Sequence, residues 1–425
     1  MEEGPLRYAC IDLKTFYASV ECADRGLDPF QEKLVVADPT RGPGTICLAI
    51  TPALKALGVK NRCRVFEIPK DIDYIMATPR MARYLEVAGQ VNAIYARHLA
   101  PADMHIYSVD ECFLDLGPYL RRAKTDARGI VSQLMREVLA ETGVTATAGL
   151  GTNLFLAKVA LDILAKHASD GIAALDEAAF RKKLWFHRPL TDIWGIGPGT
   201  ERRLRRKGIT DLAGVCAIGK DWLIREFGIK GEWLLDHAWG QEPCTMADVH
   251  AHRPVSHSLS SGQVLMRDYS KAEARIVLRE MALAAVLDLR SRALSCGTVS
   301  LWVGYARALP VGNKLAAGAN GRTKLPTRTS ISSDILPALL ALFDQRVSAD
   351  AAIRRISLSL DSVAPAQGDQ PSLFAPKDEE RQRAIEEAMV AVRSRFGKNS
   401  LLTGTSLYDC STMQERNQQI GGHRA

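Results

Sequence analysis

The sequence predicts a multidomain α+β protein, and three observations carry that prediction. The first third of the chain alternates strand, helix, strand, strand, helix, strand, the order of a ferredoxin-like sheet. Near Trp185 the texture changes to short helices punctuated by Gly195, Gly197, Gly208 and Gly228. From about residue 251 to 361 a second stretch has strands, helices and a charge of its own. A chain of 425 residues is long enough for several cores at about 150 residues per domain.

In order, Leu6 to Asp12 reads as a buried strand and Thr15 to Ala23 as the start of a helix. Leu34 to Ala37 and Thr45 to Ile50 are strand-like, with a Gly/Pro turn from Thr40 to Gly44 between them. Met81 to Leu99 has helical spacing. His105 to Val109 and Cys112 to Leu116 are strands flanking Asp110-Glu111. Ala127 to Glu141 is helical, Thr145 to Leu150 a strand and Asn153 to Lys166 a helix, with the helices expected on one face of the sheet. Gln241 to Ser261 reads as a linker running into a strand. The second α+β stretch has a long helix, Lys271 to Arg292, and a strand, Thr298 to Tyr305. A Gly/Ala/Asn loop, Gly312 to Arg322, is followed by a strand at Thr327 to Ile331, a helix at Asp334 to Asp344 and a strand at Arg354 to Leu360. Ala364 to Pro376 has a flexible composition, and a helix from Glu379 to Phe396 leads into a polar tail.

Hydrophobic residues make up 47% and charged residues 24% of the chain, which excludes a mainly disordered protein, a collagen and a coiled coil. No stretch approaches the roughly 18 apolar residues of a membrane helix, and the N-terminus has no secretion-signal pattern. The net charge is +7, and residues 251–361, with 15 basic and 8 acidic side chains, carry all of it. A locally basic domain on a neutral body points to a polyanion, nucleic acid first. Nine cysteines without a CxxC pair argue against a disulfide framework and a zinc site, and fit a reducing cytoplasm.

The chemistry lies in three acids. Asp12 ends the first strand, and Asp110 and Glu111 sit between two strands of the same sheet. Neighbours on a regular strand point to opposite faces, so this pair can share a target only in a turn or bulge. Three converging carboxylates would repel and raise one another's pKa values. Divalent cations remove that conflict, and an all-oxygen ligand set favours Mg²⁺. Two such ions about 4 Å apart suit in-line phosphoryl transfer.

The runs IDLKTFYASVE (Ile11 to Glu21) and YSVDECFLDL (Tyr107 to Leu116) closely resemble the Y-family translesion DNA polymerases of the UmuC and polymerase IV types, most of all a Gram-positive UmuC-like subgroup. The resemblance implies a right-hand polymerase: a ferredoxin-like palm from 1–15 and 76–175, small fingers from 16–75, a helix-hairpin-helix thumb from 176–245, an α+β little finger from 250–362, and a flexible clamp-binding segment with a C-terminal helix and tail from 363–425. It implies that Asp12, Asp110 and Glu111, with the backbone of Leu13, hold two Mg²⁺ ions. Tyr17, beside Phe16, matches the steric gate under the sugar of the incoming nucleotide. Lys158 matches a lysine on the triphosphate. In TPALKALGVK, Pro52 and Lys55 stand where many relatives have Tyr and Arg, so Lys55 offers a point charge in place of a fork and Pro52 offers no donor.

Thr191 to Ile209 resembles a helix-hairpin-helix, with the Gly195 and Gly197 turn approaching a DNA phosphate and Arg202 and Arg203 on the following helix. QPSLF, with Gln370, Leu373 and Phe374, resembles the pentapeptide that binds the bacterial sliding clamp. The resemblance thus implies an error-prone, cytoplasmic, template-directed DNA polymerase for translesion synthesis in SOS damage tolerance. It would be a monomeric subunit using primer-template DNA and dNTPs, working with the beta clamp and SOS accessory proteins. Two rival readings are a nucleotide cyclase, which would need neither hairpin nor clamp motif, and a clamp-bound scaffold, which would need no carboxylates.

Overall fold

The computed structural model describes residues 5–121, 125–253, 257–311, 314–366 and 377–425. They form two compact units, Met1–Arg253 and Pro254–Arg424.

The first unit is built on strands β1 (Tyr8–Leu13), β2 (Met104–Ile106), β3 (Glu111–Asp115), β4 (Ala146–Gly151) and β5 (Ile172–Leu175). The sheet order is β2-β3-β1-β4-β5. Its first four strands follow the expected ferredoxin-like order, all antiparallel, and β5 adds in parallel beyond β4. Helix α1 (Phe16–Ala23) follows β1, α2 (Met81–Ala96) precedes β2, and α3 (Ala127–Thr142) joins β3 to β4. Asp126 caps α3 by accepting from the Gly129 amide at 2.8 Å, and Gly143, at φ +69°, ends it in the left-handed conformation a glycine adopts without strain.

Helices cover both faces of this sheet, whereas one covered face was expected. Ala88, Val91 and Tyr95 of α2 meet the face that carries Leu13 and Cys112. Helix α4 (Leu154–Val159) packs Leu154 and Ala157 against the opposite face, on Tyr8, Cys10 and Phe113. Two glycines make that second layer possible. A Cβ at Gly149 would lie 2.1 Å from the Ala157 carbonyl oxygen, and one at Gly151 would lie 2.3 Å from the Ala157 nitrogen. The helix expected to run to Lys166 becomes a π turn at Ala160–Leu164 and a 3-10 turn at Ala165–His167.

Residues 34–77 form a small sheet of Leu34–Val36, Ala49–Ile50 and Ile75–Ala77 around Val35, Cys47, Leu54 and Ile68. From 177 to 239, five short helices enclose Phe180, Leu204, Leu212, Leu223 and Leu234, and this core continues into Phe155 and Leu156 of α4. The linker expected at 241–261 contains a helix, Met246–Ala251. Thr245 and Asp248 form a capping box at its start, and Met246 is buried beside Cys10 and Phe113. Met246 and Val249, with a His250 Nε2 hydrogen bond to the Met104 carbonyl at 2.9 Å, dock a stretch whose composition reads as linker.

The second unit is an antiparallel sheet of β6 (Ser258–Tyr269), β7 (Leu294–Val311), β8 (Lys314–Thr329) and β9 (Ile353–Asp361), in the order β8-β7-β9-β6. Between β6 and β7 runs α6 (Lys271–Ser291), counted after α5 (Pro198–Arg205) of the first unit, and α7 (Ser332–Arg346) follows β8. Both helices share a core with the strands through Val277, Met281, Val299, Ile335 and Phe343. Of the loop expected at Gly312 to Arg322, residues 314–322 are instead the first half of β8, paired with β7 from Val311↔Lys314 onward. Small residues are poor strand formers alone. Here they allow close backbone approach: a Cβ at Gly318 would lie 2.2 Å from the Val303 carbonyl oxygen.

The polar tail is folded onto this unit. Helix α8 (Lys377–Phe396) contributes Glu386, whose buried carboxylate accepts from the Ser332 amide at 3.0 Å and from the Ser332 hydroxyl at the start of α7. Glu280 of α6, 3% exposed, accepts from the Ser411 hydroxyl at 2.7 Å. Deleting residues 400–425 strips that donor from a buried carboxylate. We expect the deletion to cost about 2 kcal/mol, read as a lower urea midpoint.

Candidate active site

Asp12 in β1 lies directly opposite Glu111 in β3. Side chains alternate along a strand, so Tyr8, Cys10 and Asp12 share one sheet face with Asp115, Phe113 and Glu111, the face that α4 covers. Asp110 sits in the turn before β3. The Tyr107 and Ser108 amides donate to the Glu111 carbonyl at 3.0 and 3.1 Å, and the Leu13 amide donates to the Asp110 carbonyl at 2.9 Å. Backbone bonds thus fix the three acids at one end of the sheet.

The electrostatics show their crowding. Burial, then the charges of Asp110 and Glu111, push the Asp12 carboxyl up to about 7. Asp110 takes a hydrogen bond from the Ser108 hydroxyl at 2.7 Å, and Glu111 Oε1 takes one from Lys158 Nζ at 2.9 Å. Among the described residues no three potential ligands are drawn close enough to clasp an ion as they stand. The acids share the sheet end as expected, but two of them turn toward internal donors. Glu111 Oε2 remains buried with no partner. An oxygen-only set with an orphaned carboxylate oxygen and an Asp12 carboxyl raised by burial and by its neighbours' charge fits a divalent cation, which would relieve both.

Lys158 does not project as the free cation the sequence suggested. Its side chain is 6% exposed and bridges Glu111 and Asp162, the latter at 2.8 Å. Burial opposes its charge, but the two carboxylates outweigh burial and hold its pKa above the ordinary lysine value. Its position follows from Gly149 and Gly151, which bring α4 down onto the sheet. Lys55 is held below the usual lysine value, by desolvation first and then by Lys166, while Asp12 acts the other way. Lys14, Lys55 and Lys166 therefore crowd the Asp12 side of the site.

Phe16 is buried, and Tyr17 stacks on Tyr84 with centroids 4.6 Å apart. The Tyr84 hydroxyl donates to Glu21 Oε1 at 2.7 Å, and Arg80 Nε donates to the same oxygen at 2.9 Å. This buried Tyr84–Glu21–Arg80 support was not read from the sequence. Its one legible trace was Glu21, an acid on an otherwise apolar helix face.

At the hairpin, Gly195 has φ +89°, and a Cβ there would meet Trp233 at 2.0 Å, so glycine is required twice over. Gly197 caps α5. Arg202 is exposed. Arg203 is tied to Glu226 at 2.7 Å and lies over Phe227, so it braces the helix rather than standing free for DNA. In the second unit, the sheet face opposite the core carries Ser260, Ser300, Ser357 and Ser359 with Arg322, Lys324 and Arg355, small polar groups among cations. Gln370, Leu373 and Phe374 lie outside the described residues.

A carboxylate-bearing ferredoxin-like sheet joined to a GxG helical hairpin, with a basic α+β unit further along, defines the class of template-directed nucleotide polymerases. Comparison with known proteins agrees. Residues 11–162 match the impB/mucB/samB family and residues 256–373 match that family's C-terminal domain. The chain is 32% identical to the putative UV-damage repair protein UvrX of Bacillus subtilis, over 98% of this chain and 97% of that one. It is 28% identical to DNA polymerase IV 2 of Bacillus subtilis, over 97% of each. A solved Y-family DNA polymerase chimera of Dbh and Dpo4 shares the fold with a TM-score of 0.64 at 17% identity, over 84% of this chain and 98% of that one. The chain belongs to the impB/mucB/samB family, the UmuC and polymerase IV type of Y-family translesion DNA polymerases. Such polymerases depend on divalent metal. Among the described residues no helix is long and apolar enough to cross a membrane.

Proposed function

We propose that this polymerase extends a primer across damaged template positions, with Asp12, Asp110 and Glu111 as its catalytic carboxylates. The observation that carries the reading is Asp12 opposite Glu111 at the sheet end, with Asp110 in the adjoining turn. These three, with the Leu13 backbone, would hold two Mg²⁺ ions, which when bound stabilise the attacking and leaving oxygens of the phosphoryl transfer. Lys14, Lys55 and Lys166 supply the positive potential for the dNTP triphosphate on the Asp12 side. Lys158 keeps Glu111 oriented through its hydrogen bond to Oε1. Tyr17 forms the wall beneath the sugar. Primer extension by the purified chain on undamaged and lesion-bearing templates tests the reading. Failure to add a nucleotide to either would end it.

Tyr17→Ala removes that wall. We expect incorporation of rNTPs to rise about tenfold or more relative to dNTPs, because a steric gate rejects by clash. Single-nucleotide kinetics with paired dNTP and rNTP substrates read this out, and unchanged selectivity would return Tyr17 to a packing role against Tyr84.

The reading extends to a cytoplasmic setting, SOS accessory proteins and a sliding clamp engaged through Gln370, Leu373 and Phe374. A short peptide that must become ordered binds with an affinity on the order of micromolar, yet tethering makes it effective. Leu373→Ala with Phe374→Ala should retain synthesis on a bare primer-template and lose the stimulation given by a loaded clamp. Stimulation that survives the double substitution would move the contact elsewhere.

A further inference from the structure

One aromatic group beside the carboxylates has no part in the mechanism above. Tyr107 follows β2, and the register that pairs Ile106 with Cys112 sets it opposite Glu111. Tyr107, Glu111 and Asp12 therefore stand in a row across three adjacent strands, on one face, about 4.8 Å from strand to strand. The lysines crowd the Asp12 end of that row. At the Tyr107 end the rings of His105, Phe113 and Trp194 surround the tyrosine, and among the described residues no lysine or arginine is paired with it.

Tyr107 is 44% exposed, yet it is held firmly. Its ring meets Phe113 edge-on, with centroids 5.6 Å apart, and Trp194 at 6.1 Å. Trp194 Nε1 donates to the Tyr107 hydroxyl at 3.2 Å. Trp194 is itself packed against Trp233 and His237. Because the hydroxyl oxygen accepts from Trp194, its own proton is left without an acceptor among the described residues, and it points from a fixed oxygen. Trp194 directly precedes Gly195 and the hairpin. A single segment thus links the GxG turn to a hydroxyl one strand from Glu111.

We propose that Tyr107 is a primer-strand binding residue, donating its O–H to a non-bridging oxygen of the primer's terminal phosphodiester, with Trp194 as its positioning residue. This rests on the polymerase reading. A triphosphate needs cations, which lie at the other end of the row. A singly charged phosphodiester beside a deoxyribose suits a neutral donor on an aromatic shelf, and the hairpin delivers a strand from the same side.

The test pairs Tyr107→Phe with a primer whose terminal linkage is a methylphosphonate, in single-turnover extension by the full chain. Phe keeps the ring against Phe113 and Trp194. Each change alone should lower kcat/KM for primer-template about tenfold, the scale of a hydrogen bond to a charged group, with the KM for dNTP unchanged. Combined, they should lower it no further than either alone, because both delete the same bond. The salt dependence of DNA binding should stay the same for Tyr107→Phe, since no cation is lost. Losses that multiply to about a hundredfold, or a methylphosphonate that costs the wild-type chain nothing, would overturn the assignment. Wild-type extension of the natural primer is the control that separates the two readings: with it intact, multiplying losses sink this inference alone, and without it the polymerase reading falls too.

Discussion

Glu111→Ala and Asp110→Ala should each lower nucleotide addition by about a thousandfold or more while the protein stays folded and still binds DNA. Deleting a carboxylate that holds a catalytic cation removes several kcal/mol of transition-state stabilisation. The structure explains why the fold should survive. Without Glu111, Lys158 keeps its bond to Asp162 at 2.8 Å and is not left as a lone buried charge. Without the Asp110 side chain, the turn retains the Leu13 amide bond to the Asp110 carbonyl and the two amide bonds to the Glu111 carbonyl. Stopped-flow extension and a primer-template binding titration on the same preparations separate the two effects. Near wild-type extension by the double variant would refute the carboxylate assignment.

Gly149→Ala should strongly destabilise the first unit and disturb the site with it. The new Cβ would fall 2.1 Å from the Ala157 carbonyl oxygen and 2.3 Å from the Leu161 nitrogen, both backbone atoms of the segment that carries Lys158. Neither can rotate away, so α4 must lift from the sheet. Overpacking of this kind costs about 3 kcal/mol, and it also draws Lys158 from Glu111, so stability and extension should fall together. Gly199→Ala in α5 is the control. Nothing lies within 4 Å of its Cβ, and helix propensity there favours Ala by up to about 1 kcal/mol. Urea melts of both variants check the contrast, and equal midpoints would mean that the close approach of α4 carries no weight.

The alternating apolar runs gave the ferredoxin-like order because strands buried on both faces and amphipathic helices leave periodicities that survive without tertiary context. The second sheet was only partly legible. The first half of β8 is rich in Gly, Ala and Asn, whose own preferences favour a loop, and only the ladder with β7 makes it a strand. The final helix and the polar tail after it carried no sign of a partner, yet they supply Glu386 and Ser411 to buried partners that lie 54 and 131 residues away in sequence. Contacts of that separation leave no local periodicity.

At the site, the chain alone marked the candidate groups: an acid ending the first strand and two more between a pair of strands, an aromatic after Phe16, and glycines before a basic helix. Residue type and spacing are local properties, and chemistry of this kind is written in them. The tertiary structure decided what those groups face. It turned Lys158 inward to Glu111, set Arg203 on Glu226, stood Tyr17 against Tyr84, and aligned Tyr107 with the carboxylates. The first of those outcomes depends on how close α4 comes to the sheet, which is set by the absence of side chains at Gly149 and Gly151. A missing Cβ reads in sequence only as a place where the chain can bend, and only the packed structure shows what the empty space admits.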